Sequence, residues 1–193
     1  MDKKKKDLLL DLDSCLNNLD EVWISKYNED YQDNLTREDI IRWETHTIVK
    51  PECGHKIYDY LLLPNFFRDL GIQPNAYRVT KWLQQYVDIH IVTAYTPTTC
   101  VDKCEWLKHY LSHIEQKNII FCNNKGLLKA DYCIDDGGHN IEDFNKTNPC
   151  GLPIIFEAPW NRYLKNKFIR ANGWLEIQEV FEEIFGQNKM GYN

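Results

Sequence analysis

Short apolar runs alternate along this chain with longer stretches in which apolar side chains return every three or four residues. Leu8–Leu10, "DIHIVTA" (Asp88–Ala94), "NIIFC" (Asn118–Cys122), "DYCIDD" (Asp131–Asp136) and "LPIIFEA" (Leu152–Ala158) are too short for ordinary helices and read as buried strands. Between several of them the period is helical. "NAYRVTKWLQQYV" puts Ala76, Val79, Trp82, Leu83 and Val87 on one face, and "CVDKCEWLKHYLSHI" does the same with Val101, Cys104, Leu107, Tyr110, Leu111 and Ile114. "GWLEIQEVFEEIF" aligns Leu175, Ile177, Val180, Phe181 and Ile184. Strands alternating with helices predict an α/β fold, a Rossmann-like parallel sheet with helices on both faces.

The interval between the first two strands is too long for one crossover. It holds three stretches of helical pattern, "LDEVWISKYNEDY", "TREDIIRWETH" and "KIYDYLLLPNFFRDL", separated by "QDNL" and "VKPECG". Thr36 followed by Asp39 has the form of an N-cap. Residues 16–75 therefore read as a small helical cap inserted after the first strand, and residues 1–15 and 76–193 as the core.

Composition narrows the partners. The chain has 193 residues, 43% of them apolar and 27% charged, which is ordinary for a soluble domain. A formal charge of −6 argues against a nucleic-acid polymer as the main partner. Seven cysteines, odd in number and irregular in spacing, fit reduced thiols in a cytoplasmic protein better than a disulfide framework. The lysines at Lys3–Lys6 read as a solvated terminus, since Asp11 and Asp13 interrupt the leucines that follow. No run approaches the length of a membrane span.

The candidate chemistry lies at the strand ends, where open parallel sheets collect ligands. Asp11 and Asp13 close the first strand, Thr93 the second and Asp135–Asp136 the fourth, while Lys125 follows the third. Carboxylates crowded together repel one another, and a hard divalent cation such as Mg2+ relieves that repulsion while accepting substrate phosphate. A carboxylate can attack phosphorus, an ammonium can neutralise the phosphoryl group, a hydroxyl can orient it, and a second acid can protonate the leaving oxygen. His46, His55, His90, His113 and His139, five of the six histidines, are scattered, and no histidine metal site is expected.

In order and spacing, "DLDSCL", "IVTAYT", Lys125 and "IDD" resemble the four motifs of the haloacid dehalogenase superfamily. More narrowly, the chain resembles the 5'(3')-deoxyribonucleotidases of bacteria and phages. "KYNEDYQDNLTREDI", "VKPECGHKIYDYL" and "PNFFRDL" resemble that family's insertion, and "IIFEAPWNR" (Ile154–Arg162) its closing segment. The resemblance covers roughly residues 7–185. It implies a Mg2+-dependent phosphomonoesterase acting on deoxyribonucleoside monophosphates through an aspartyl-phosphate. Carried over residue by residue, it makes Asp11 the nucleophile and a metal ligand, and Asp13 the general acid/base and a ligand through its carbonyl. Thr93 and Lys125 would bind phosphate, Asp136 would be the third metal ligand, and Asp135 would support it. Phe66 and Phe67 fall in the cap around the substrate. Two positions depart from the family, Ser14 and Asn65, where glycine is usual; a positive φ would strain the serine and suit the asparagine better.

Besides a non-catalytic nucleotide-binding relic, toward which Ser14 alone leans, two other readings fit the same residues. One is a phosphatase for another small phosphomonoester. The other is a phospho-accepting switch, against which the long insertion argues, since a switch needs no lid. A homodimer is compatible with the sequence.

Overall fold

The computed structural model of the chain describes residues 4–190, with side chains through residue 186. Lys3, in the N-terminal lysine run, and the ends of the expected core range lie outside the described residues; Lys4 to Lys6 are exposed.

Six parallel strands form one sheet: β1 (Lys6–Leu10), β2 (Val87–Thr93), β3 (Ile119–Phe121), β4 (Tyr132–Asp135), β5 (Leu152–Phe156) and β6 (Ile169–Ala171). Their spatial order is β3-β2-β1-β4-β5-β6. The chain builds outward from β1 in one direction, then returns and builds in the other. That reversal leaves a crevice beyond the C-terminal end of β1, flanked by β2 and β4. The period of two sorts the side chains between faces. Leu8 and Leu10 join the larger core cluster, with α2 (Ala76–Leu83), α3 (Cys100–Tyr110) and α5 (Trp174–Met190). Leu9 joins the smaller one, with Ile141 and Phe144 of α4 (Gly138–Thr147). Both faces are thus covered, the arrangement expected of an all-parallel sheet. Among the described residues no helix is long and apolar enough to cross a membrane. All seven cysteines are unpaired.

Several local expectations need correction. Val87 is not on a helix: α2 stops at Leu83 and Val87 opens β2. On α3 the buried side chains are Lys103, Trp106 and Leu107, while Val101 is 60% exposed. Leu107 is buried as expected, as are Leu111 and Ile114 just past the helix end, but Lys103 turns inward to polar acceptors. On α5, Trp174 is buried and Leu175 exposed. β6 and α4 lay outside the expected elements. The first segment of the insertion forms α1 (Leu19–Tyr31), but the other two form 3-10 structure, in turns of three residues at Arg37–Asp39 and Thr45–Thr47 and a nine-residue helix at Gly54–Leu62. Paired isoleucines, aromatic side chains, Pro51 and Pro64 all weigh against a regular α-helix there. Asp39 does accept from the backbone N–H of Thr36 at 2.7 Å, but it caps a 3-10 turn.

The insertion is fastened at its base. Asn17 and Ile72 form an antiparallel bridge, and Gln73 N donates to Leu16 O at 2.8 Å. Phe66, Phe67 and Leu70 pack into the main core, where the Trp106 indole donates to Leu70 O.

Candidate active site

Parallel pairing brings the acidic strand ends side by side. Leu10 is in register with Ile134 and with Ile91, so Asp11, Asp135 and Thr93 emerge on one rim. Asp11 N donates to Ile134 O at 2.9 Å, which continues the ladder one residue past β1. Beyond this rim lies a cavity of about 380 Å³. Asp11, Asp13, Lys125 and Asp136 line its floor. Trp23, Trp43, Tyr58 and Phe67 line its walls, with Trp160 beside them.

Lys125 ties the floor together. Its ammonium lies 2.8 Å from Asp11 Oδ1 and 2.7 Å from Asp135 Oδ2, with all three side chains largely buried. Asp135 is held in turn by Gly137 N and the Asn140 amide, both donating to its Oδ1. A side chain at Gly137 would break this up: a Cβ there would lie 2.7 Å from Asn140 Nδ2 and 2.9 Å from Asp135 Oδ1. The Asp-Asp-Gly-Gly run, which alone reads as a turn, is therefore a tight clasp leading into α4.

Asp136 is fixed from the "APWN" segment. The Trp160 indole donates to its Oδ2 at 3.1 Å and the Asn161 amide to its backbone carbonyl at 2.9 Å. Arg162 points away, to Glu38 and Glu157. Asp13 is gripped on both sides. Asn17 Nδ2 donates to its Oδ1 at 3.0 Å, while Lys103 Nζ donates to its Oδ2 at 2.5 Å and the Thr93 hydroxyl at 3.3 Å. Thr93 is fully buried against Asp13 and Lys103. Phe67 faces the cavity, whereas Phe66 packs edge-on against it and is not part of the lining. Ser14 and Asn65 both adopt positive φ, 58° and 62°.

The electrostatics of the floor favour a cation. Burial, above all, pushes the Asp11 carboxyl up to about 7; Lys125 pulls it down, and Asp135 and Asp13 push it further up. Burial, then Asp11 and Asp135, raise Asp136 well above the usual carboxylate range. Ligand atoms of Asp11, Cys15 and Asp136 lie within 4.8 Å of one another. Burial drives the Cys15 thiol far up, so the hard donors of the set are the carboxyl oxygens of Asp11 and Asp136. Oxygen donors short of positive charge suit a hard divalent ion such as Mg2+. Among the described residues the cluster of Asp11, Cys15 and Asp136 holds no histidine, although His139 lines the cavity against Trp43. His109 and His113 stand four residues apart, but His109 packs on Tyr110 and His113 bonds Thr80.

Sequence reasoning missed Lys103, Asn17, Asn140 and Asn161. Only Asn161, inside the "APWN" segment, carried a signal in the chain itself.

A family model described as "5' nucleotidase, deoxy (Pyrimidine), cytosolic type C protein" matches residues 5–186. A 5'(3')-deoxyribonucleotidase of Clostridium acetobutylicum is 43% identical over 180 residues, covering 93% of this chain and 97% of the relative. One of Bacillus subtilis is 36% identical over 177 residues, covering 90% and 97%. Among solved structures, a haloacid dehalogenase-like hydrolase of Streptococcus pneumoniae matches with a TM-score of 0.62 at 12% identity, covering 92% and 98%. A HAD hydrolase of Bacillus subtilis bound to magnesium matches with a TM-score of 0.59 at 14% identity, covering 92% and 99%. At these identities the structural likeness speaks to the fold.

Proposed function

Since this chain belongs to the family of 5' nucleotidase, deoxy (pyrimidine), cytosolic type C proteins, we propose that it is a Mg2+-dependent hydrolase that removes phosphate from deoxyribonucleoside monophosphates by way of an aspartyl-phosphate. The observation that carries the reading is the floor of the cavity, where Asp11, Asp13, Asp136 and Lys125 converge.

An Asp11 oxygen attacks phosphorus, and the bond from phosphorus to the nucleoside oxygen breaks. Asp13 gives its proton to that oxygen, and the nucleoside leaves. Water then attacks the phosphorus, Asp13 takes its proton, and the bond between Asp11 and phosphorus breaks to release phosphate. Asp11 Oδ1 already accepts from Lys125 and Leu12 N, while its Oδ2 accepts no hydrogen bond from the described residues and suits the attack. Lys125 spends two of its three donors on Asp11 and Asp135, which leaves one for a phosphoryl oxygen. Asp11, Asp136 and the carbonyl of Asp13 would hold Mg2+, which supplies charge neutralisation of the phosphoryl group. Asp135 supports the set through Lys125. The Thr93 hydroxyl, expected to bind phosphate, is fully buried, lies outside the cavity lining and is engaged by Asp13 and Lys103, so its part is to hold Asp13.

Residues 16–75 act as the lid. Trp23, Trp43, Tyr58 and Phe67 give the cavity an aromatic wall on which a base can stack. Phe66 supports Phe67 from behind. The test is phosphate release from ribo- and deoxyribonucleoside monophosphates and a sugar phosphate, with Mg2+ and with a chelator. The expected result is Mg2+-dependent release with deoxyribonucleotides preferred. Preference for the sugar phosphate, or full activity in chelator, would overturn it.

A further inference from the structure

Lys103 is a buried ammonium for which the reaction above has no role. It lies on the first turn of α3, is 3% exposed, and borders the cavity beside Phe67, whose ring centroid is 4.5 Å from Nζ. An ammonium has three donors. Lys103 uses them on Asp13 Oδ2 at 2.5 Å, Thr93 Oγ1 at 2.9 Å and Ala94 O at 2.7 Å. None remains for a phosphoryl oxygen, in contrast to Lys125. The two lysines of the cavity floor therefore do different work.

From the three-way engagement of its ammonium, we infer that Lys103 is a positioning residue that holds the Asp13 side chain by Oδ2 in the pose from which its carboxylic acid form protonates the leaving oxygen. Asn17 grips the other oxygen of Asp13, so the carboxylate is clamped from opposite sides. Ala94 O fixes the ammonium to the end of β2, and Thr93 shares the same clamp. Without Lys103 the Asp13 side chain keeps, among the described residues, Asn17 and a Thr93 contact of 3.3 Å. It is then free to swing across the cavity, and a proton donor that is out of place protonates poorly.

This inference rests on the proposed role of Asp13 as the acid. The two are separable by leaving group. A nucleoside leaves as an alkoxide and needs a proton, while p-nitrophenol leaves as a stable phenolate and needs none. The experiment measures the first-turnover release of nucleoside from a deoxyribonucleoside monophosphate and of p-nitrophenol from p-nitrophenyl phosphate, in Mg2+. Lys103→Met is expected to slow nucleoside release about 100-fold, the scale of general acid catalysis, and nitrophenol release less than about 3-fold. The ratio of the two rates on one preparation does not depend on how much of it is folded. Lys103→Gln, which keeps one amide donor for Asp13, should show a smaller shift of the ratio in the same direction.

An unchanged ratio in both variants would overturn the inference, because phosphate binding and bulk stability affect both substrates alike. Asp13→Asn, run alongside, separates the two failures. If it shifts the ratio and the Lys103 variants do not, the positioning role is wrong; if it leaves the ratio unchanged, the acid assignment of Asp13 is wrong and the positioning role falls with it.

Discussion

Replacing Lys125 with methionine is expected to unmask how tightly the site is wound. The ammonium bridges Asp11 and Asp135, and the side-chain exposures are 10% for Lys125, 8% for Asp11 and 2% for Asp135. Removing one member of a buried pair leaves uncompensated charge and costs about 3–5 kcal/mol. For a chain of this size that is a fall of roughly 6–20 °C in melting temperature. The loss should depend on pH, and the sign follows from Asp11. Its folded-state value, about 7, already lies above the unfolded value because burial outweighs the pull of Lys125. Without that pull it rises further. A carboxyl whose folded pKa is raised favours the folded state while protonated, and that stability is lost as pH rises through the folded value. The deficit of Lys125→Met should therefore be smaller near pH 5 than near pH 8 (both about the range in which Asp11 changes state). Calorimetry of the metal-free proteins at the two pH values measures it. A deficit below about 1 kcal/mol, or one that grows toward acid, would refute the bridge as the organising contact. Turnover should fall by about 100-fold or more, as when a donor to a developing oxyanion is removed.

Trp160→Phe keeps an aromatic ring but loses the indole hydrogen bond to Asp136; Mg2+ affinity, read from the Mg2+ dependence of the melting temperature, should weaken about 10-fold, and unchanged affinity would argue against Asp136 as a ligand. Ser14→Gly relieves a φ of 58° worth about 1–2 kcal/mol but adds roughly 0.5–1 kcal/mol of backbone entropy; urea denaturation should show a gain of less than about 1.5 kcal/mol with turnover retained, and a loss would mean that the serine hydroxyl contributes to the fold. In chelator, wild type measured against Asp11→Asn should lose stability, on the order of 2 kcal/mol, between about pH 5 and pH 8. The reason is that Asp11 is protonated in the folded state up to about 7, and a flat difference across that range would contradict the burial of its charge.

The floor of the site was legible because its residues sit at strand ends. Carboxylates that close apolar runs, as in "DLLLDLD" and "CIDD", have few other uses, and a parallel sheet sends them to one rim. Lys103 was illegible for the opposite reason. A helical period assigns a lysine between two cysteines to solvent, and only the acceptors of Asp13, Thr93 and Ala94, drawn from other elements, bury it. α4 was hidden by Gly137 and Gly138, which read as a turn and in fact serve close approach to Asp135 and Tyr163. β6, Ile169–Ala171, has an arginine at its centre, so no apolar run marks it as β3 is marked by Ile119–Phe121. In the insertion the apolar residues were visible but their geometry was not, since 3-10 turns depend on packing more than on pattern.

The central claim is that Asp11 takes the phosphoryl group. It is tested most directly by acid-quenching the enzyme during turnover of a nucleotide carrying a radiolabelled phosphate. The account expects label on the wild-type protein, released by hydroxylamine as an acyl phosphate is, and none on Asp11→Asn. Label retained on Asp11→Asn, or steady turnover by that variant, would contradict it.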